Sequence, residues 1–160
     1  MARLQVAGDQ RAAEVQIAAR AEGERVEIAL AQITIVPQQA LAHLLAEDRV
    51  PHAAMWNQTL VASRLLEYET WTRVHAQGLA KSHGELVRQI TGRLAFLELV
   101  PPVLARALEP FPVRVRTLDA LHLASLQFLR DQGQTVELAS YDERLVAAAR
   151  ALRMPIYALA

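Results

Sequence analysis

The most apolar segment of the chain spans residues 116–129 and has the spacing of a helix with hydrophobic side chains almost all the way round. Such a helix is normally buried rather than laid on a surface. It nevertheless carries Asp119 in its first turn and His122 one turn later, at the i and i+3 spacing that makes side chains neighbours. A buried carboxylate is costly unless a cation, a donor or a helix N-terminus compensates it. Two interpretations stay open: Asp119 helps Thr117 to cap the helix, or it faces a cleft and binds a metal.

Shorter apolar runs alternate with helical spacing through the rest of the chain. The pattern predicts strands over residues 59–62, 135–139 and 155–159, and helices over residues 38–47, 64–77, 103–108 and 142–152. Ser63 and Ser82 stand where helix N-caps belong. Gly78 and Gly133 stand where helices end. Residues 97–100 fit either a short strand or the end of the preceding helix. Strand–helix–strand repetition of this kind favours an α/β fold with a parallel sheet covered by helices.

The N-terminal segment is less regular than the rest of the chain. Residues 9–21 have helical spacing, and residues 25–36 alternate like an extended strand until Pro37 ends it. We therefore predict an atypical N-terminal segment over residues 1–36, made of a helix and then a strand, followed by one domain over residues 37–160.

Composition narrows the function mainly by exclusion. The chain has 160 residues, of which 52% are hydrophobic and 21% charged, so it is expected to be globular with a sizeable core. Its formal net charge is zero, and any surface that binds nucleic acid must therefore be local. The absence of cysteine excludes disulfides and thiolate sites and fits a reducing, cytoplasmic location. No apolar run is long enough to span a bilayer, so no membrane is expected.

Three acidic residues from distant segments fall at or near the carboxyl ends of predicted strands, where open α/β sheets place their chemistry. Glu69 lies about two turns into a helix that follows a strand, and Asp119 lies in the first turn of its own helix. Asp142 comes directly after another strand, two residues beyond Ser140. Together these acids suit a hard divalent cation such as Mg²⁺ or Mn²⁺. Such ions activate water and stabilise an in-line phosphodiester displacement, although each acid alone is more often a cap or a solvated charge.

Three sequence motifs resemble, in order and separation, the successive acidic motifs of PIN-domain ribonucleases. They are residues 63–69 (SRLLEYE), 116–124 (RTLDALHLA) and 140–145 (SYDERL). The similarity is closest to the VapC-type toxins of bacterial toxin–antitoxin modules and covers roughly residues 38–160. This resemblance implies a three-layer α/β/α fold with a central parallel sheet and the activity of a metal-dependent endoribonuclease.

The resemblance also implies roles for particular residues and partners. Glu69, Asp119 and Asp142 would be the catalytic, metal-binding carboxylates for Mg²⁺ or Mn²⁺, and Ser140 would match the hydroxyl position before the last acid. Glu67 is the neighbouring acid and the weaker prediction for a ligand. The family further implies an RNA substrate, a homodimer and a cognate antitoxin protein that inserts a segment into the active-site groove.

One feature of the family is missing from this chain. The family begins with a strand that ends in an aspartate, a principal metal ligand, and here the corresponding residues 35–38 read IVPQ. Degenerate codons allow Ile-Val-Pro to be Asp-Ser-Ser read in a shifted frame. One hypothesis is therefore that residues 1 to about 39 come from a frameshift or a misplaced start, which the nucleotide sequence would test. The alternative is a degenerate member whose strand over residues 25–36 still fills the sheet, and which retains only dimer and antitoxin binding.

Basic residues and a histidine are predicted to surround the acids. Arg116 and Arg144 flank two of the acids and are the best predictions for a rim that binds phosphates. Further predictions for the same rim are Arg64, Arg73 and Arg114. His122 is expected to orient a carboxylate or contact RNA, or else to be a satisfied core histidine.

Overall fold

The structure is a computed structural model that describes residues 5–6, 33–35 and 53–159. Its strands are β1 (Gln5–Val6), β2 (Ile33–Ile35), β3 (Thr59–Ser63), β4 (Ala95–Leu97) and β5 (Val136–Leu138). Its helices are α1 (Arg64–Ala76), α2 (Ala80–Thr91), α3 (Pro101–Leu108), α4 (Thr117–Asp131) and α5 (Glu143–Ala151), and a 3₁₀ helix spans Ala53–Asn57. The described chain is thus mixed α/β. The helices predicted over residues 9–21 and 38–47 lie outside the described residues.

The strands form one sheet in the order β1-β4-β3-β2-β5. The pairs β4–β3, β3–β2 and β2–β5 are parallel, and only β1 runs antiparallel to its neighbour β4. Ile33 lies opposite Thr59 on one side and Val136 on the other. Part of the strand predicted over residues 25–36 therefore occupies an interior position of the sheet.

The buried side chains form two hydrophobic clusters, and alternate residues of a strand belong to different clusters. Val61 of β3 belongs to one cluster, and its neighbours Leu60 and Ala62 belong to the other. Because successive side chains of a strand point to opposite faces, the clusters cover the two faces of the sheet. The first cluster includes side chains from α3, α4 and α5: Val103, Leu123, Leu126, Leu129, Leu145 and Ala149. The second includes Met55, Leu66 of α1, and Leu159.

Helix α1 and helix α4 end as the glycine positions predict. Gly78 follows α1 with a φ of 69°, and the N–H of Leu79 donates to the carbonyl of Val74 at 2.9 Å. Gly133 follows α4 with a φ of 81°. Both glycines take the left-handed conformation that satisfies the last carbonyls of a helix and that other residues adopt only with strain.

Several boundaries differ from the sequence prediction; α3, for example, begins at Pro101 rather than at residue 103, because proline is tolerated in the first turn of a helix. Further differences concern α2, β4 and residues 155–159. Helix α2 begins at Ala80, and the hydroxyl of Ser82, the predicted N-cap, instead donates to the Leu79 carbonyl at 3.2 Å. Strand β4 covers Ala95–Leu97 rather than residues 97–100, because the preceding helix already ends at Thr91. Within the described chain, residues 155–159 make a single parallel bridge between Ile156 and Leu138 rather than a strand.

Candidate functional site

The N-terminal ends of α1, α4 and α5 lie at one edge of the sheet. Helices α1 and α5 directly follow the parallel strands β3 and β5, so they begin at the carboxyl ends of those strands. Helix α4 leads into β5 from the opposite direction, and its first residues therefore lie at the same edge. This is the edge where the sequence pattern predicts the three acids to lie.

A buried chain of hydrogen bonds crosses this region. The Oγ of Ser63 lies 2.8 Å from Nδ1 of His122, and Nε2 of His122 lies 2.9 Å from Oε2 of Glu69. The exposed fractions of Ser63, His122 and Glu69 are 1%, 5% and 7%. With its hydrogen on Nε2, a neutral imidazole donates to the carboxylate and accepts from the serine hydroxyl, so that both ring nitrogens are satisfied.

Ser63 is a residue that the sequence pattern assigned to a different role. It does precede α1 as the N-cap residue, but its side chain makes no cap hydrogen bond. The hydroxyl instead contacts His122, which lies 59 residues further along the chain. Nothing in the spacing of the sequence signals such a contact.

Asp119 and Asp142 share an electrostatic environment. Burial raises the pKa of Asp119, and the negative charge of Asp142 raises it further. Electrostatic interactions with His122 and Arg116, together with the backbone N–H of Arg116, lower the pKa of Asp119. Because the interaction between charges falls off with distance, this effect indicates that the carboxylates of Asp119 and Asp142 lie near each other.

Asp142 is also the N-cap of α5. Its Oδ1 accepts hydrogen bonds from the backbone N–H groups of Arg144 at 2.8 Å and Leu145 at 3.3 Å. The backbone N–H of Asp142 in turn donates to Oγ of Ser140 at 3.0 Å, and that serine is buried. The loop before α5 is thus shaped by two polar side chains, one of which is a predicted metal ligand.

An open cleft of about 350 Å³ lies beside Asp119. Its lining residues come from the segment before α4, the first turn of α4 and the first two turns of α5: Arg114, Val115, Arg116, Asp119, Arg144 and Ala148. The two best basic predictions, Arg116 and Arg144, therefore border the cleft beside an acid. All three lining arginines are exposed.

Arg64 has a structural role instead of a place on this rim. Its guanidinium contacts Glu67 at 2.7 Å and Glu98 at 2.8 Å, and it lies 4.4 Å above the centre of the Phe96 ring. Burial works against the charge of Arg64, but the hydrogen bonds to Glu98 and Glu67 outweigh it and raise the pKa of Arg64. The same pairing occupies Glu67, the acid that the sequence made the weaker ligand.

The described residues contain no group of three or more acidic, histidine or cysteine side chains arranged to hold a metal. Glu69 is hydrogen-bonded to His122, while Asp119 and Asp142 are coupled to each other. The three-acid set therefore stays a prediction. Two carboxylates still fit a hard cation, because Mg²⁺ is commonly held by one or two carboxylates together with waters and substrate phosphates.

Comparisons with known proteins add no assignment: no family model matches the chain, and no curated protein matches it.

The lengths of the helices bear on a possible place in a membrane. None of the helices within residues 53–159 has both the length and the apolar character needed to cross a bilayer.

Proposed function

We propose that this chain is a metal-dependent endoribonuclease of a toxin–antitoxin module, with a PIN-like three-layer fold, that cleaves RNA phosphodiesters in the cleft beside Asp119. The observation that carries the proposal is the electrostatic coupling of Asp119 and Asp142 next to exposed arginines. Carboxylates and arginines together at the carboxyl edge of a parallel sheet suit a metal and a polyanion.

The three-layer part of the proposal is supported by the core. Alternate residues of β3 lie in different clusters, one containing side chains of α4 and α5 and the other a side chain of α1. Sheets of mostly parallel strands usually carry helices on both faces.

The acids would bind Mg²⁺ or Mn²⁺ through Asp119 and Asp142, with Glu69 as the predicted third carboxylate. Such an ion would activate a water molecule and neutralise charge on the scissile phosphodiester. Asp142 is already oriented by its cap hydrogen bonds to α5. The half-buried position of Asp119 strengthens its attraction for a cation, because charges interact more strongly away from bulk water.

The arginines would position the RNA backbone. Arg114, Arg116 and Arg144 line the cleft, and none of them has a carboxylate partner within 4.0 Å among the residues that the structure describes. Arginines bind phosphate oxygens through charge-assisted hydrogen bonds that carry no sequence information. By the same resemblance, we propose a homodimer in the cytoplasm and a cognate antitoxin whose inserted segment occupies this cleft.

A second candidate is a catalytically degenerate PIN-like module that retains dimer and antitoxin binding. Two observations favour it. Strand β2 is followed by Val36, Pro37 and Gln38, where the family has its first aspartate. In addition, no set of three metal-binding side chains is gathered within the described part of the chain.

RNA cleavage with Mn²⁺ distinguishes the two candidates. The chain as it stands should cut, and Asp119→Asn should not, if the first candidate is right. Asp131→Asn is the matched control, because Asp131 is exposed at the far end of the same helix. Cleavage by Val36→Asp alone would establish the degenerate module. If the chain, Asp119→Asn and Val36→Asp are equally silent, the enzyme proposal fails.

A further inference from the structure

The buried chain of Ser63, His122 and Glu69 connects three elements of the fold. Ser63 ends β3, Glu69 lies on α1, and His122 lies on α4 between them. Helices α1 and α4 are therefore joined by a hydrogen bond at the carboxylate of Glu69. His122 also lies three residues after Asp119 on α4, on the same side of the helix.

Serine, histidine and an acidic residue form the catalytic triads of many hydrolases, but the hydrogen-bonded set of Ser63, His122 and Glu69 cannot work as a triad. A nucleophilic serine must reach the substrate, and Ser63 is only 1% exposed. Because the hydroxyl of Ser63 is buried, it cannot attack a substrate, and the hydrogen bonds of this set must have another role.

The stability of the core does not explain why three polar side chains are buried together between β3, α1 and α4. Burying polar groups costs free energy that their hydrogen bonds largely offset, and apolar residues of similar volume often stabilise a core as well or better. An electrostatic interaction with His122 also lowers the pKa of the Asp119 carboxyl, so the ring lies near that side chain. The buried chain is thus linked to the acidic edge of the sheet at Glu69 and at Asp119.

We propose that His122 is a positioning residue: Ser63 holds its ring, and the ring fixes the carboxylate of Glu69 relative to α4, the helix that carries Asp119. This inference rests on the proposed function, because its consequence is a higher affinity of the acidic edge for a divalent metal. Donors behind acidic ligands support many metal sites, and losing one typically weakens metal binding by about 10–100-fold.

Two substitutions separate the contacts of His122. The amide nitrogen of His122→Gln extends about as far as Nε2 and still donates to Glu69. The shorter side chain of His122→Asn ends near the place of Nδ1 and reaches only Ser63. We expect calorimetric titration of the full chain with Mn²⁺ to show that His122→Asn binds the metal about 10–100-fold more weakly than wild type does. The affinity of His122→Gln for Mn²⁺ should lie between those of His122→Asn and wild type.

Ser125→Ala is the matched control for removing a buried polar group from α4. Ser125 is 0% exposed, and its hydroxyl donates to the carbonyl of Leu121 at 2.8 Å, away from the His122 chain. We expect its Mn²⁺ affinity to equal that of the wild type. If wild type and Asp119→Asn both fail to bind Mn²⁺, the proposed function fails and this inference with it. If Asp119→Asn loses binding while His122→Asn binds like wild type, the inference alone is overturned.

Nitrogen NMR of the wild-type histidine rings tests the inference without any variant that must fold. His122 should carry its hydrogen on Nε2, and the Nε2 signal should shift when Mg²⁺ is added, because its acceptor Glu69 is the proposed third carboxylate of the metal site. His75, which is exposed at the end of α1, provides the reference signal. A His122 signal that Mg²⁺ leaves unchanged would overturn the inference.

Discussion

Ser63 has a hydroxyl with a single identified partner, Nδ1 of His122. Ser63→Ala would leave that ring nitrogen buried without a donor, and we expect this to lower the free energy of unfolding by about 1–3 kcal/mol. Urea unfolding followed by circular dichroism measures the difference. Ser82→Ala is the control, since Ser82 is exposed and its replacement should change stability by no more than about 0.5 kcal/mol. Equal stability of the two variants would mean that the buried bond contributes nothing.

Asp119 should make the protein less stable as the pH rises. Because the folded-state pKa of its carboxyl is raised above 3.8, the folded protein binds this proton more tightly than the unfolded chain does. The penalty is absent below pH 3.8, where both states are protonated, and is complete above the folded-state pKa. Asp119→Asn should therefore melt like wild type at low pH and at a higher temperature than wild type at pH 7.

The same melting experiment with added Mn²⁺ tests whether Asp119 binds a metal. A metal that binds only the folded state stabilises it by mass action. Mn²⁺ should therefore raise the melting temperature of wild type and leave Asp119→Asn unchanged. If Asp119→Asn melts at a lower temperature than wild type at pH 7 without metal, the carboxylate of Asp119 stabilises the fold, which contradicts the expected loss of stability.

At the residue scale, one of the three predicted acids and the two best arginine predictions line the same cleft, whereas the contacts of neighbouring residues were missed. Asp119, Arg116 and Arg144 could be placed because each lies in or beside the first turn of a helix that starts at a predictable edge. The pairing of Arg64 with Glu98 and of Ser63 with His122 could not, because those residues belong to segments far apart in the chain.

At the element scale, α5 depends on Asp142 in a way that can be separated from metal binding. Asn is as good an N-cap as Asp, whereas Ala removes the cap at a cost of about 0.5–2 kcal/mol. We therefore expect Asp142→Asn to keep wild-type stability and lose RNA cleavage, and Asp142→Ala to lose both. Chemical unfolding and the cleavage assay, run on the same preparations, measure the two effects. Cleavage by Asp142→Asn at the wild-type rate would remove Asp142 from the site.

Element boundaries were predictable where a single residue sets them. Gly78 and Gly133 end their helices because each takes a positive φ. The position of β4 was not predictable, because an apolar run of residues 94–97 fits a helix end as well as a strand until tertiary contacts decide. Packing places those residues in the sheet, with Phe96 in one cluster and Leu97 in the other.

At the scale of the whole molecule, the formal net charge of zero means that the proposed binding of RNA must depend on a local basic rim. Replacing Arg116 or Arg144 with Gln should reduce the salt dependence of binding to single-stranded RNA, with a slope smaller by about 0.7 for each phosphate that is no longer neutralised. Fluorescence anisotropy over a range of KCl concentrations measures that slope. Arg150→Gln is the control, because Arg150 is exposed on α5 but outside the cleft. Equal slopes for all three variants would place the RNA elsewhere.

The order of the strands could not be predicted from the sequence. Alternating strands and helices indicate a parallel sheet, but they do not state which strands are neighbours. The interior place of Ile33–Ile35 depends on pairing with β3 and β5 together, which no local pattern encodes. The resemblance to PIN-domain ribonucleases predicts three acids at one site, and it leaves without a counterpart the aspartate that the family has after its first strand.

The interior place of β2 has a consequence for the order of events during synthesis. Residues 33–35 are translated about a hundred residues before one of their two neighbours, β5. Contacts between such distant segments slow folding, since a long loop must close before they form. Until β5 arrives, one side of β2 has no neighbour from this sheet, and nascent chains in that condition are prone to pair with the wrong partner. Cellular yield of this protein should therefore depend on chaperones more than its modest size suggests.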